Sequence, residues 1–128
     1  MSGQVILTTG IYDMIKDHVR RKKVTKQEEE LLLAELKGAK QVLRRDLPDN
    51  VVTVNRKVTI KDHTLGKEEE YIFVSTNKKN TKKRKFSILC DVAVATIGRK
   101  AGDVINWPFK TGERKIEILK VEMFQPPK

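Results

Sequence analysis

The hydrophobic period of the chain changes at Pro48. Before it, apolar residues recur at helical spacing, first Ile11, Met14, Ile15 and Val19, then Leu32, Leu36, Ala39 and Leu43. Beyond it, "VVTVN", "RKVTIKD" and "RKIEILKVE" alternate apolar with polar residues, and "EEYIFVS" is a short β-rich run. Steps of three and four residues line one helix face, whereas steps of two line one sheet face. A helical part must therefore precede a β-rich one. The expected class is α+β, with a boundary at Leu47 to Asn50 separating a unit 1–49 from a unit 50–128.

Local signals place the elements. Thr8 or Thr9 is positioned to cap a first helix that runs to about Lys23, and "TKQE" matches a capping box in which Thr25 and Glu28 satisfy each other's amides. The second helix is expected to continue through Leu43 to a stop at Pro48, carrying Gly38 inside it at a cost of about 1 kcal/mol. Two helices joined by so few residues call for an antiparallel, coiled-coil-like hairpin. In the second unit, His63 to Lys67 and "KTGE" read as turns. "DVAVATIG" reads as a short helix capped by Asp91, with Val92, Ala95 and Thr96 on one face and a left-handed Gly98 closing it.

Composition narrows the function. The 128 residues suit one medium domain, or a small domain with an appended element. No apolar run approaches the ~20 residues of a membrane helix, and "MSGQVILTTG" lacks a secretory pattern, so a cytoplasmic protein without membrane contact is expected. The single Cys90 excludes an internal disulfide and fits that compartment. It reads as a packed, unreactive thiol.

Nucleophilic chemistry needs a base held by a second group, and the histidines, His18 beside Val19 and His63 in a turn, suit structural or solvated roles. There is no phosphate-binding Walker loop, dinucleotide fingerprint or paired metal-ligand spacing. We expect no catalytic residue, no metal and no cofactor. Glu28, Glu29 and Glu30 stand in the first turn of the second helix, where carboxylates favour the dipole. Neighbouring residues point about 100 degrees apart around a helix, so this hairpin tip does not converge on a cation.

The net charge of +10 is local: residues 51–128 hold 17 cations and 9 acids, against 10 and 8 in residues 1–50. "NKKNTKKRK" supplies Lys78, Lys79, Lys82, Lys83, Arg84 and Lys85 without an acid. Such a run either contacts nucleic-acid phosphates or is a solvated β-hairpin loop. Only Phe86 is an adjacent aromatic, so a base-stacking surface is not indicated.

The segment "FSILCDVAVATIGRKAGDVINWPFKTGERKIEILKVEMFQP" resembles the C-terminal domain of the GreA/GreB transcription elongation factors. Ser87, Ile97, Gly98, Gly102, Asp103, Pro108, Gly112, Val121 and Glu122 fall in step with the family pattern. "DLPDNVVTVNRKVTI" looks like the entry into the sheet of Rnk, the regulator of nucleoside diphosphate kinase, a short-hairpin relative. The resemblance implies an FKBP-like antiparallel sheet wrapped on one helix. It also implies a bacterial, non-enzymatic transcription regulator that binds RNA polymerase near its secondary channel, expected as a monomer.

Long Gre hairpins carry tip acids to the polymerase metals and stimulate transcript cleavage. Here helices of about 15 and 20 residues would reach only ~22 and ~30 Å, and the "DLSENAEY" type of tip is missing. The implied polymerase surface is the loop holding Ser87, Cys90 and Asp91, where Cys90 stands for the usual Ser and Asp91 for the usual Pro. The alternatives are a nucleic-acid-binding module using Lys78 to Lys85, or a true cleavage stimulator using Glu28 to Glu30. Prolyl isomerase activity is not expected, because fold is not function and a chain with 5% aromatics offers little to line such a pocket.

Overall fold

The computed structural model describes residues 5–75 and 78–123. Residues 1–4 and 124–128, the outer ends of the two expected units, and Asn77 of the basic run lie outside the described residues. Among the described residues the fold is α+β, with three α-helices, a two-stranded parallel sheet and a mixed five-stranded sheet.

Strand β1 (Ile6–Thr8) leads directly into helix α1 (Thr9–Arg20). Thr8 is the cap, its Oγ1 accepting from the Ile11 amide at 3.4 Å. Ile11, Ile15 and Val19 form the buried stripe of α1. The helix stops at Arg20, short of the expected Lys23, and Lys22 turns the chain with φ +59°. Helix α2 (Lys26–Lys37) starts on the capping box: Thr25 Oγ1 accepts from the Glu28 amide at 3.1 Å, and Glu28 Oε1 accepts from the Thr25 amide at 3.2 Å.

The second helix is shorter than its spacing predicts. Gly38 is its C-cap rather than an interior residue, and strand β2 (Lys40–Val42) follows at once, pairing in parallel with β1. The Lys40 amide donates to Val5 at 2.9 Å. Leu32 and Leu36 are buried as the seam requires, Ala39 is partly buried beyond the helix, and Leu43 is 56% exposed. Pro48 therefore does not end α2. A long-range strand pairing ends it ten residues earlier.

The large sheet has the order β5-β4-β3-β7-β6. Strands β3 (Arg56–Asp62), β4 (Lys67–Val74), β6 (Val104–Phe109) and β7 (Gly112–Met123) pair antiparallel, while the edge strand β5 (Lys85–Ser87) runs parallel to β4. The sheet is thus mixed, not antiparallel throughout. Both expected turns are present. Gly66 has φ +69°, and Asp62 Oδ1 accepts from the Thr64 and Leu65 amides at 3.0 Å. "VVTVN" is not a strand: Val52 exchanges backbone bonds with Arg99 and Gly98, and the guanidinium of buried Arg56 donates to the Pro48 and Val51 carbonyls at 2.6 and 2.7 Å.

Helix α3 (Asp91–Thr96) buries every residue from Val92 to Thr96, not one face only. It packs with Val58, Ile60, Phe73, Trp107, Ile116 and Ile118 of the sheet, and the same core takes in Ile11, Ile15 and Val19 from α1 and Leu32 and Leu36 from α2. Gly98 closes the helix at φ +79°, as expected, in a place where a Cβ would lie 2.7 Å from Leu7 Cδ2. Only a residue without a side chain lets β1 lie this close.

Candidate functional site: the loop before the third helix

Strand β5 feeds a compact loop into α3. The Ser87 hydroxyl accepts from the Leu89 amide at 3.1 Å, and the Cys90 amide donates to the Ser87 carbonyl at 2.9 Å. Cys90 occupies the N-cap position with extended backbone and makes no side-chain cap bond. Asp91 is therefore the first helical residue rather than the cap, its Oδ1 accepting from the Val92 amide at 2.8 Å. Burial pushes the Cys90 thiol above its ordinary range, with the Asp91 charge adding to the shift and backbone N–H donors opposing it. A thiol so placed is a weak nucleophile near neutral pH.

The loop walls a groove. Ser87, Leu89 and Cys90 form one side, Met14, Asp17, His18 and Arg21 of the first helix and its exit form the other, and the space is about 570 Å³. A second groove of about 370 Å³ adjoins it, lined by Asp91, Val94, Glu28, Val24 and Lys110. His18, Lys23 and Leu89 line both, so the two are continuous. Burial lowers the His18 pKa, partly opposed by the charge of Glu28. His63 lies elsewhere, sharing a 2.7 Å hydrogen bond between its Nε2 and Glu117.

The contribution of α1 was not visible in the sequence. Met14 and His18 read there as parts of an ordinary helix, and nothing local marks them as facing a loop some seventy residues away.

The three glutamates separate. Glu28 is only 6% exposed, and its Oε2 accepts from the indole Nε1 of Trp107 at 3.0 Å, so it is fastened beneath strand β6. Glu29 pairs with Lys22 at 2.9 Å, and Glu30 faces solvent. Two turns beyond Glu28, Glu35 pairs with buried Arg99. Burial raises the Glu35 pKa, and the Arg99 charge opposes that rise. Glu28 and Glu35 thus tie one side of α2 down at both ends.

The basic run is not a hairpin loop, because the strands it joins are parallel. Lys78, Lys79, Lys82 and Lys83 are exposed in this connection, which contains the 3-10 turn Thr81–Lys83. Arg84 turns back with φ +59°: its guanidinium donates to the Glu70 carbonyl at 2.7 and 3.1 Å and stacks over Tyr71 and Phe86. Lys85 lies in β5. Among the described residues, no cluster of three or more His, Cys, Asp or Glu is arranged to hold a metal, and no helix is long and apolar enough to cross a membrane.

The family model described as "Transcription elongation factor, GreA/GreB, C-term" matches residues 47–123. Transcription elongation factor GreA of Clostridium botulinum strain Hall is 37% identical over 86 residues, covering 67% of this chain and 54% of that protein. The Clostridium beijerinckii GreA is 34% identical over the same shares. The chain spans about half the length of the curated relatives it matches. A prokaryotic GreA/GreB elongation factor from Nitrosomonas europaea superposes with a TM-score of 0.65 at 25% identity, over 94% of this chain and 98% of that one. Gfh1 of Thermus aquaticus shares the fold, with a TM-score of 0.51 at 14% identity over 93% and 98%.

Proposed function

The chain belongs to the GreA/GreB C-terminal family of transcription elongation factors, and we propose that it acts as a non-catalytic regulator that docks on RNA polymerase near the secondary channel without stimulating transcript cleavage. Docking is assigned to the loop of Ser87, Cys90 and Asp91, which opens beside the continuous grooves. The sheet wrapped on α3 is read as FKBP-like, and α1 with α2 as a short helical hairpin of the Rnk kind.

The observation that carries this reading is the position of Glu28. A carboxylate held by the Thr25 amide and the Trp107 indole in a buried site is not available to a metal on another protein. Glu29 is paired as well, which leaves Glu30 alone at the tip. Reach points the same way. Twelve residues in each helix rise only ~18 Å, less than the sequence suggested, and both are packed onto the shared core. Cleavage stimulation by Glu28 to Glu30 would need α2 to leave that core.

Retention on immobilised core polymerase at moderate salt tests the reading. The intact chain is expected to be retained, and Cys90→Arg, which sets a bulky cation on the groove wall, to be lost while its circular dichroism is unchanged. Failure of the intact chain to bind, or full retention of C90R, would contradict the assignment.

A further inference from the structure

The groove brings together cations that the sequence keeps far apart. Lys79 from the β4–β5 connection and Lys23 from the bend after α1 line the first groove, and Lys23 and Lys110 from the β6–β7 turn line the second. Lys78, Lys82 and Lys83 are exposed in the same connection as Lys79. None of these six lysines has an ion-pair partner among the described residues. The neighbouring cations are committed: Arg21 to Asp17, Lys22 to Glu29, and Arg84 to the Glu70 carbonyl. The acids on the groove walls are committed too, since Asp17 is held by Arg20 and Arg21, and Glu28 by Trp107. Asp91 is occupied by the Val92 amide but keeps its charge on the groove wall.

We propose that these lysines, with Lys79, Lys23 and Lys110 on the groove walls and Lys78, Lys82 and Lys83 in the connection that carries Lys79, are a sequence-independent contact for the phosphate backbone of double-stranded DNA. Lysines are flexible point charges suited to phosphates in any register, and a duplex presents one phosphate for about every 1.7 Å of its axis. A single strand binds best where aromatic rings receive its bases. Phe86, the aromatic on the groove wall beside Lys23 and Lys79, is already covered by Arg84 and set edge-on to Tyr71, and Phe109 beside Lys110 is covered by Arg114. The duplex, which needs no stacking platform, is the better match. An acidic polypeptide is the rival occupant. The lysines border the same grooves as the Ser87–Asp91 loop, but the proposal concerns free DNA and is tested without polymerase.

Fluorescence anisotropy of the full chain with a labelled duplex, across a salt series, tests it. Each engaged lysine contributes about 0.9 to the slope of log affinity against log salt, so six give a slope near −5.4 and roughly an 1,800-fold loss between 50 and 200 mM. Lys82→Ala with Lys83→Ala, and separately Lys23→Ala with Lys110→Ala, should each reduce the slope by about 1.8 and the loss to roughly 150-fold. Lys37→Ala with Lys40→Ala, at the other end of α2, should leave it unchanged. Any of four results overturns the proposal: no duplex binding at low salt, tighter binding of the same-length single strand, tighter binding of poly-glutamate, or a Lys23/Lys110 pair that behaves like the Lys37/Lys40 control.

Discussion

The hydrogen bond between Trp107 and Glu28 decides whether the start of α2 is fixed to the sheet, and a double-mutant cycle measures it. Trp107 is 1% exposed and its Nε1 donates to Glu28 Oε2 at 3.0 Å. Trp107→Phe removes the donor and about 40 Å³ of side chain, worth ~1 kcal/mol as a cavity at about 24 cal/mol per Å³. It also leaves a buried carboxylate oxygen without its partner, at about 1.5–3 kcal/mol for a bond to a charged group. Glu28→Gln keeps one side-chain oxygen for two donors, the Thr25 amide and the indole, so half of the arrangement is lost at about 1–2 kcal/mol. Neither single value isolates the contact, because each carries other costs. Their non-additivity does, and the two residues touch directly, so a coupling of about 1–2 kcal/mol is expected. Urea unfolding of the four proteins, with equal m-values as the control for two-state behaviour, supplies the numbers. A coupling below about 0.3 kcal/mol would refute the fastening of α2 on β6.

Three further outcomes follow from the same packing. Arg99→Met leaves Glu35 buried and uncompensated, costing about 3–5 kcal/mol at neutral pH. Because the folded-state pKa of Glu35 already lies above its ordinary value of 4.5 and rises further without Arg99, the folded state of the variant binds the extra proton. Its deficit should shrink as pH falls through that raised pKa and reopen as pH rises, a trend read by melts between pH 4 and 8; a pH-independent deficit would contradict it. Gly98→Ala puts a Cβ 2.7 Å from Leu7 Cδ2 at φ +79°, and the left-handed strain and overlap together should cost about 2–4 kcal/mol in thermal unfolding. Alkylation of Cys90 by iodoacetamide at pH 7.5 should be at least about tenfold slower in the native protein than in urea, given its half-buried, upshifted thiol.

Signals that act within a few residues were legible in the sequence. Thr25 with Glu28, the turn at His63 to Lys67 and the left-handed Gly98 are each specified by neighbours, and each stands where its local chemistry puts it. The end of α2 was not, because it is set by a parallel pairing between Lys40–Val42 and Ile6–Thr8, some thirty residues upstream. Ala39 and Leu43 merely continued the spacing. The same limit hid β5, whose three residues carry too little pattern to announce an edge strand. At the candidate site, the loop residues were marked by resemblance, whereas its other wall, from Met14 to Arg21, and the indole over Glu28 exist only through contacts across 65 to 80 residues of chain. The separation of the glutamates was half visible. Helix geometry denied convergence, but only the fold identifies Trp107 as the group that takes Glu28 away.

The most direct test places saturating protein on stalled, backtracked RNA polymerase complexes and follows both retention of the protein and the length of the transcript. Retention with transcripts of unchanged length is the predicted result. Shortened transcripts that are restored to full length by Glu30→Gln or Glu28→Gln would contradict the account, as would a chain that does not stay with the complex at all.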